Sequence, residues 1–320
     1  MTASIHIGIT GASGLVGTAL AARLTTAGHV VHPFVRRDAR PGTHEIAWQP
    51  ALGQLEVAAL EPLDVVINLA GENIGDGRWT QPRKRLIVES RVAGTRLLAD
   101  ALAALAGASD RPRALVQASA IGFYGDAGDR PVDEDSAPGE GFLAEVCSAW
   151  EEAAAPAARA GVRLAIARIG VVLTPSGGAL ARMLTPFRAG LGGPLGSGRQ
   201  YLSWIHLDDT TAALAWLATS AAQGVFNLTA PGAVPQADFA RALGEALHRP
   251  ARLPAPAVAL RLLFGEMADE MLLAGARVRP DRLRAADFEF THPELSGALR
   301  ACLRPDGGAV SPTEPRVSTP

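Results

Sequence analysis

Eight residues near the start of the chain, Thr10-Gly11-Ala12-Ser13-Gly14-Leu15-Val16-Gly17, restrict the fold more than any other stretch. They follow an apolar run, Ile5 to Ile9, and lead into a helix-forming run, Leu15 to Ala27. Strand, glycine turn and helix N-terminus gather main-chain N–H groups and the positive end of a helix dipole at one point, which makes an anion site. In such a turn Gly11 permits the tight bend, Gly14 lets the backbone approach a pyrophosphate, and Gly17 lets helix and strand pack closely. The alternative is an ordinary glycine-rich turn, and the strand-turn-helix context argues against it.

The rest of the chain alternates in the same way. Strands are expected at Val30–Val35, His44–Trp48, Asp64–Gly71, Ala114–Ser119, Val162–Ile169 and Val225–Leu228. Helices are expected at 81–106, 142–160, 179–189 and 236–248, with Asp208 capping another. This alternation requires a mainly parallel sheet covered on both faces. The expected fold class is therefore α/β: a Rossmann doubly wound parallel sheet with a smaller, mostly helical C-terminal substrate domain. Residues 1–230 would form the first domain, with 174–205 contributing to the substrate lobe, and 231–303 the second. The loop 126–141 reads as exposed and mobile, and 304–320, rich in Pro, Gly, Ser and Thr, as a disordered tail.

Composition removes several classes of function. The 320 residues are 48% hydrophobic with a net charge of −2, so a large core is expected and a nucleic-acid footprint or polybasic membrane surface is not. The two cysteines, Cys147 and Cys302, give neither a metal spacing nor a disulfide framework. With the first strand at Ile5, no signal peptide is expected, and no apolar run is long enough to span a bilayer. A cytoplasmic protein is expected, and a homodimer is compatible with the sequence.

A dinucleotide site puts the end of the second strand against the adenosine ribose. An acid there binds the 2′-hydroxyl of NAD, and arginine accommodates the 2′-phosphate of NADP. Here Val35 stands where the acid is expected, followed by Arg36-Arg37. A guanidinium suits a phosphate, so NADP(H) is expected over NAD.

The chain now resembles the extended short-chain dehydrogenase/reductases, the epimerase/dehydratase group. The Thr10–Gly17 turn, Asn68-Leu69-Ala70-Gly71, Ala118-Ser119 to Tyr124-Gly125, and Trp204-Ile205-His206-Leu207-Asp208-Asp209 carry the resemblance in the expected order. More narrowly it is similar to an atypical branch of unknown substrate, marked by Leu69-Ala70-Gly71-Glu72 with Arg78-Trp79, by Gly141–Glu151 and by Gly190–Gln200. That branch ends in a small domain of unknown function, which 250–299 would match. The resemblance implies cofactor contacts from Gly11, Ser13, Gly14, Leu15, Val16, Arg36, Arg37, Leu69, Ala70, Gly71, Ser119 and Arg168.

The family's chemistry carries over less directly. Its reductases use a tyrosine with a lysine four residues later, and no Tyr-x-x-x-Lys occurs here. Gly128 follows Tyr124, Ile205 follows Tyr201, and the sole lysine is Lys84. Alignment on Trp150-Glu151 puts Leu143 and Cys147 at the Tyr and Lys positions, and Ala120, beside Ser119, nearest the Ser position. Standard carbonyl reduction thus lacks its general acid. The substitutes within reach of the sheet's C-terminal rim are Glu72, Arg78, Lys84, Arg91, Tyr124, Glu145, Cys147 and His206. Each has a bland reading beside it: a salt bridge for Glu145 with Arg91, packing for Cys147, a structural hydrogen bond for His206. Tyr124, Ser119 and Glu72 are the catalytic candidates, and Tyr124 is the strongest. The substrate pocket is expected from Glu72, Arg78, Trp79, Tyr124, Gly193 and Trp204, with the two tryptophans alternatively packing the domains together. Three classes stay open: an NADP-dependent oxidoreductase or epimerase with unusual acid/base residues and a small-molecule substrate, an NADP(H)-binding sensor, and an assembly protein with a residual cofactor site.

Overall fold

The computed structural model describes residues 4–108 and 113–304. Its main sheet has eight strands: β1 His6–Thr10, β2 Val30–Val35, β3 Ile46–Gln49, β4 Gln54–Leu55, β5 Val65–Asn68, β6 Ala114–Ala120, β7 Arg163–Ile169 and β8 Gly224–Leu228. Their order is β8-β7-β6-β5-β1-β2-β3-β4, and every pair is parallel except β3 with β4. The chain moves outward from β1 in one direction, then returns to build outward in the other. The switch point lies between β1 and β5, where the C-terminal strand ends leave a crevice.

Alternation along the strands explains why both faces are covered. Ile7, Ile9, Val65, Ile67, Ala114 and Val116 turn to one face, under the helices Leu15–Thr26 and Leu207–Thr219. Val66 and Leu115 turn to the other, under Gln81–Ala108 and Ala155–Arg159. Burial of apolar surface at roughly 25 cal/mol per Å² on each face drives this arrangement. The expected helix 142–160 is two helices, Phe142–Glu152 and Ala155–Arg159, broken at Ala153–Ala154.

A second core holds the smaller lobe. Leu173, Leu180, Leu184, Phe187 and Trp204 pack with Phe239, Leu243, Leu295 and Leu299. The lobe therefore draws on 171–206 as well as the C-terminal helices. The C-terminal segment is not confined to that lobe. Leu283 is fully buried in the core beneath the sheet, and Phe288 and Phe290 pack against the same core. By packing, then, residue 230 is not a clean boundary. The loop 126–141 is also more anchored than expected. Pro131–Val132 pairs with Arg277–Val278, and the buried Glu134 carboxylate accepts the Asn227 and Arg282 amides at 3.0 and 3.3 Å. Of the expected tail, 305–320 lies outside the described residues.

Candidate functional site

The glycine turn lies at the end of β1, and its three glycines differ in what surrounds them. Gly11 has φ +65°, and a Cβ on it would stand 2.9 Å from the Leu69 carbonyl oxygen. A Cβ on Gly17 would run into the Gly11 carbonyl and approach the Ala12 Cα to 2.8 Å. Gly14 differs: φ is −77°, and a Cβ would meet only the Gly11 oxygen, at 3.2 Å. No side chain caps the helix that Gly14 opens. An open glycine at an uncapped helix N-terminus, with Ser13 exposed and Leu15 and Val16 half-buried beside it, fits a pyrophosphate.

A buried polar network fixes the neighbouring strand end. The Thr10 hydroxyl donates to Asn68 Oδ1 (2.5 Å) and accepts the amides of Leu69 (3.0 Å) and Ala70 (3.1 Å). Asn68 Nδ2 donates to Thr95 and Gln117, both at 2.9 Å, and the Trp150 indole donates to Thr95 at 2.9 Å. These bonds hold Leu69 and Ala70 beside the glycine turn. Thr10 and Thr95 were not among the expected site residues. Thr10 was visible as the threonine before Gly11, whereas Thr95 is an ordinary helix residue until the fold is known.

At the end of β2, Arg36 and Arg37 separate in role. Glu45 binds Arg37 through two hydrogen bonds (2.8 and 2.7 Å) and also takes Arg40 (2.7 Å). The Arg37 and Arg40 guanidiniums hold the Glu45 carboxyl down at about 2. Arg36 is exposed and has no hydrogen-bond or ion-pair partner among the described residues. It is the guanidinium free to meet a 2′-phosphate.

Several expected site residues have other work. The Tyr124 hydroxyl donates to Asn227 Oδ1 (2.7 Å) and accepts from Arg168 (3.0 Å), so its proton and lone pair are both used in the interior. Burial raises its pKa. Arg168 is 4% exposed, clasps Glu151 at 2.8 and 2.9 Å, and stacks over Phe123. Ser119 donates to the same Glu151 at 2.7 Å. Tyr124, Ser119 and Arg168 are thus engaged in one interior network around Glu151 and Asn227, which holds the end of β6 against β7.

The pocket residues also pack. Trp204 is wholly buried in the second core and donates to the Gly232 carbonyl at 2.9 Å. Trp79 sits edge-on to Phe142 and shares a cluster with Met267. Both tryptophan rings are thus buried among apolar side chains. The Arg78 guanidinium donates to the Leu262 and Leu263 carbonyls. A Cβ on Gly193 would run into the Leu253 backbone, so this glycine permits a close approach of two loops. Glu72 stays at the rim, paired with Arg83 at 3.0 Å. Lys84 pairs with Glu266 at 2.7 Å. His206, not Asp208, caps the helix Leu207–Thr219, its Nδ1 accepting the Asp208 amide at 3.1 Å.

Among the described residues Arg91, like Arg78, has no carboxylate bonded to it. The Arg91 guanidinium donates to the Ile87 carbonyl (3.1 Å) and lies 5.0 Å over the Trp150 ring. Its Cζ would be 3.1 Å from a Cβ on Gly71. No bond to Glu145 forms. Burial pulls the Arg91 pKa down. Cys147 lies against Gly122 and is buried, which pushes its thiol up to about 11. Gly71, Gly122, Leu143, Cys147 and Arg91 therefore converge where β5 and β6 end.

Comparison with known proteins places this geometry. Residues 7–229 match the NAD dependent epimerase/dehydratase family, and 255–302 match a domain of unknown function, DUF1731. An epimerase family protein of Mycobacterium tuberculosis is 45% identical over 298 residues, covering 93% of this chain and 97% of the relative. The human epimerase family protein SDR39U1 is 37% identical over 294 residues, covering 91% and 97%. The crystal structure of that human protein with NADPH superposes with a TM-score of 0.82 at 35% identity, covering 92% of this chain and 98% of the other. A UDP-glucose 4-epimerase from Thermus thermophilus, solved with NAD, shares the fold at 18% identity and a TM-score of 0.71, covering 92% and 97%. Among the described residues no helix is long and apolar enough to cross a membrane.

Proposed function

This chain belongs to the NAD dependent epimerase/dehydratase family, and from that premise we propose that it is an NADPH-binding oxidoreductase or epimerase-like protein with an arginine-centred reaction site. The observation that carries the cofactor is the division among the glycines: two are closed against backbone, and Gly14 is open at an uncapped helix N-terminus. The human SDR39U1 structure with NADPH supports the choice of cofactor. Arg36 would meet the 2′-phosphate, Gly14 and the amides after it the pyrophosphate, and the Leu69–Gly71 loop the nicotinamide half.

Bound NADPH would supply a hydride. The chain's own contribution is positional and electrostatic. Where the family's reductases carry Tyr and Lys, Leu143 and Cys147 stand, and a thiol with a pKa of about 11 stays protonated at neutral pH. Arg91 holds a fixed positive charge in a partly desolvated place, where a guanidinium stabilises a developing oxyanion without moving. It cannot release a proton at neutral pH, so any proton transfer goes through water at the exposed Gly71 rim.

The test is NADPH binding followed by NADPH oxidation with a panel of small carbonyl compounds. Arg91→Ala should keep the NADPH affinity and lose turnover by about 10²-fold or more, the scale of removing an oxyanion partner. Unchanged turnover would refute the role of Arg91. Failure of the wild type to bind NADPH would refute the whole reading. The interior engagement of Tyr124 and Ser119 favours one second reading, an NADPH sensor. It takes precedence if NADPH binds and no carbonyl compound is turned over.

A further inference from the structure

Away from the glycine rim, three metal-ligating side chains meet where the first turn of the helix Leu207–Thr219 faces the C-terminal segment. Asp208 Oδ2 lies 3.5 Å from His206 Nδ1 and 3.2 Å from His292 Nε2. The two imidazoles are 3.9 Å apart between ring centroids and tilted by 42°. One ligand atom from each of the three residues falls within 4.8 Å of the others. We propose that His206, Asp208 and His292 form a binding site for a divalent transition metal of the zinc type, which ties the sheet domain to the C-terminal segment.

Two of the three ligand-atom spacings are near those of a tetrahedral site. Zinc bonds of about 2.0–2.1 Å to nitrogen and oxygen put neighbouring ligand atoms about 3.3–3.4 Å apart. Two of the three edges already lie near that distance, and the third, between the two imidazoles, lies within 4.8 Å and has to close when an ion binds. The donor set selects the metal. Two imidazoles and one carboxylate suit zinc, cobalt, nickel or copper and are poor for magnesium or calcium, which take oxygen. Asp208 is 40% exposed, so water can take the fourth position.

The ligands are held in place from outside the site. The carboxylate of the adjacent Asp209 is fully buried and accepts the main-chain amides of Thr291 (2.7 Å) and His292 (2.9 Å). That fixes the backbone of His292 against the helix on which Asp208 stands. His206 ends the strand Trp204–His206, which pairs with Val171–Leu173. These bonds fix the backbone from which two of the three ligands project. Two features limit affinity. His206 Nδ1 accepts the Asp208 amide at 3.1 Å, and an ion on that nitrogen displaces this cap. Arg23 donates to the Asp208 carbonyl at 3.2 Å and sets a positive charge nearby. A moderate, reversible site follows rather than a permanently filled one.

The experiment uses the full chain, stripped with a chelator, and zinc chloride as the probe. Isothermal titration should show one equivalent bound, and cobalt chloride should give the visible absorption of a four-coordinate nitrogen and oxygen site. The melting temperature should rise with zinc, because an ion that binds only the folded state stabilises it. Asp208→Asn and His292→Gln should each weaken zinc binding at least tenfold and remove the melting shift, with the apo melting temperature kept close to wild type. His32→Gln, in the separate cluster of His6, His32 and His44, should leave binding intact. Absence of stoichiometric binding by the wild type, unchanged binding in both site variants, or loss of binding in His32→Gln would each overturn the proposal.

Discussion

Replacing the three turn glycines one at a time by alanine separates cofactor contact from fold. At Gly11 an alanine must adopt φ +65°, which costs about 1–2 kcal/mol. Its Cβ also sits 2.9 Å from the rigid Leu69 carbonyl, an overpacking worth about 1–3 kcal/mol. The sum is roughly 2–5 kcal/mol. At Gly17 the clash is with rigid backbone on three atoms, so an overpacking of about 3 kcal/mol or more outweighs the about 0.8–1 kcal/mol that alanine gains over glycine within a helix, and a net loss of about 2 kcal/mol or more is expected. At Gly14, φ is −77° and the single 3.2 Å contact needs a shift of a few tenths of an ångström, so the change should stay below about 1 kcal/mol. At about 2–4 °C per kcal/mol, Gly11→Ala should melt about 4–20 °C below wild type and Gly14→Ala within a few degrees. NADPH titration gives the opposite order. Gly14→Val puts a branched side chain where the pyrophosphate should lie and should weaken NADPH at least 100-fold, about 2.7 kcal/mol, in a folded protein. A Gly14→Val variant that binds NADPH like the wild type would refute the assignment. So would Gly11→Ala melting like the wild type, because the positive φ and the Leu69 contact would then carry no weight.

Arg36→Ala should weaken NADPH about 10- to 100-fold with little effect on NADH, since one charge-assisted bond is worth about 1.5–3 kcal/mol. Parallel titrations decide it, and equal affinity of the wild type for the two cofactors would end the argument. Tyr124→Phe removes two interior hydrogen bonds and should cost about 1–3 kcal/mol of stability with turnover kept within a few-fold. A turnover loss beyond 100-fold at an unchanged melting temperature would restore Tyr124 as the acid. Burial, then the charges of His44 and His6, hold His32 at about 4 in the folded state. The unfolded chain takes that proton near pH 6.5, so it binds more protons than the fold between pH 6.5 and 4, and stability falls as pH drops through that window. The slope of melting temperature against pH should flatten in His32→Gln, and an unchanged slope would exclude His32 as its source.

The framework was legible because its signals are local. Apolar alternation located the strands, β2 to the residue, and the glycine pattern located the turn, because a strand or a turn is encoded within a few neighbouring residues. What escaped depends on partners far along the chain. Trp204 has the composition of a pocket wall, yet its surroundings come from 173–187 and 230–302, which put it in a core. Tyr124 reads as a free hydroxyl until Asn227, 103 residues later, takes its proton. Arg37 reads as a phosphate ligand until Glu45 takes it from across a turn. His206 and His292 have no ligand spacing in sequence, so no metal pattern could be read there. Arg91 was legible as one of eight polar candidates at the rim, with a salt bridge to Glu145 as its bland reading. Its meaning comes from the missing carboxylate, and sequence does not display an absent partner.

The return of residues 281–292 to the first core has a consequence for biosynthesis. A ribosome releases the sheet domain long before Leu283, Phe288 and Phe290 exist, at roughly 5–20 residues per second. Until then the flank beside Trp216 and Phe226 is uncovered, and the Asp209 carboxylate waits for the Thr291 and His292 amides. The nascent sheet is therefore an unfinished object that only the last segment of chain can close. A frameshift or proteolytic cut that spares every glycine, Arg36 and Arg91 would still release a sticky intermediate, and holdase chaperones are the machinery expected to meet it first.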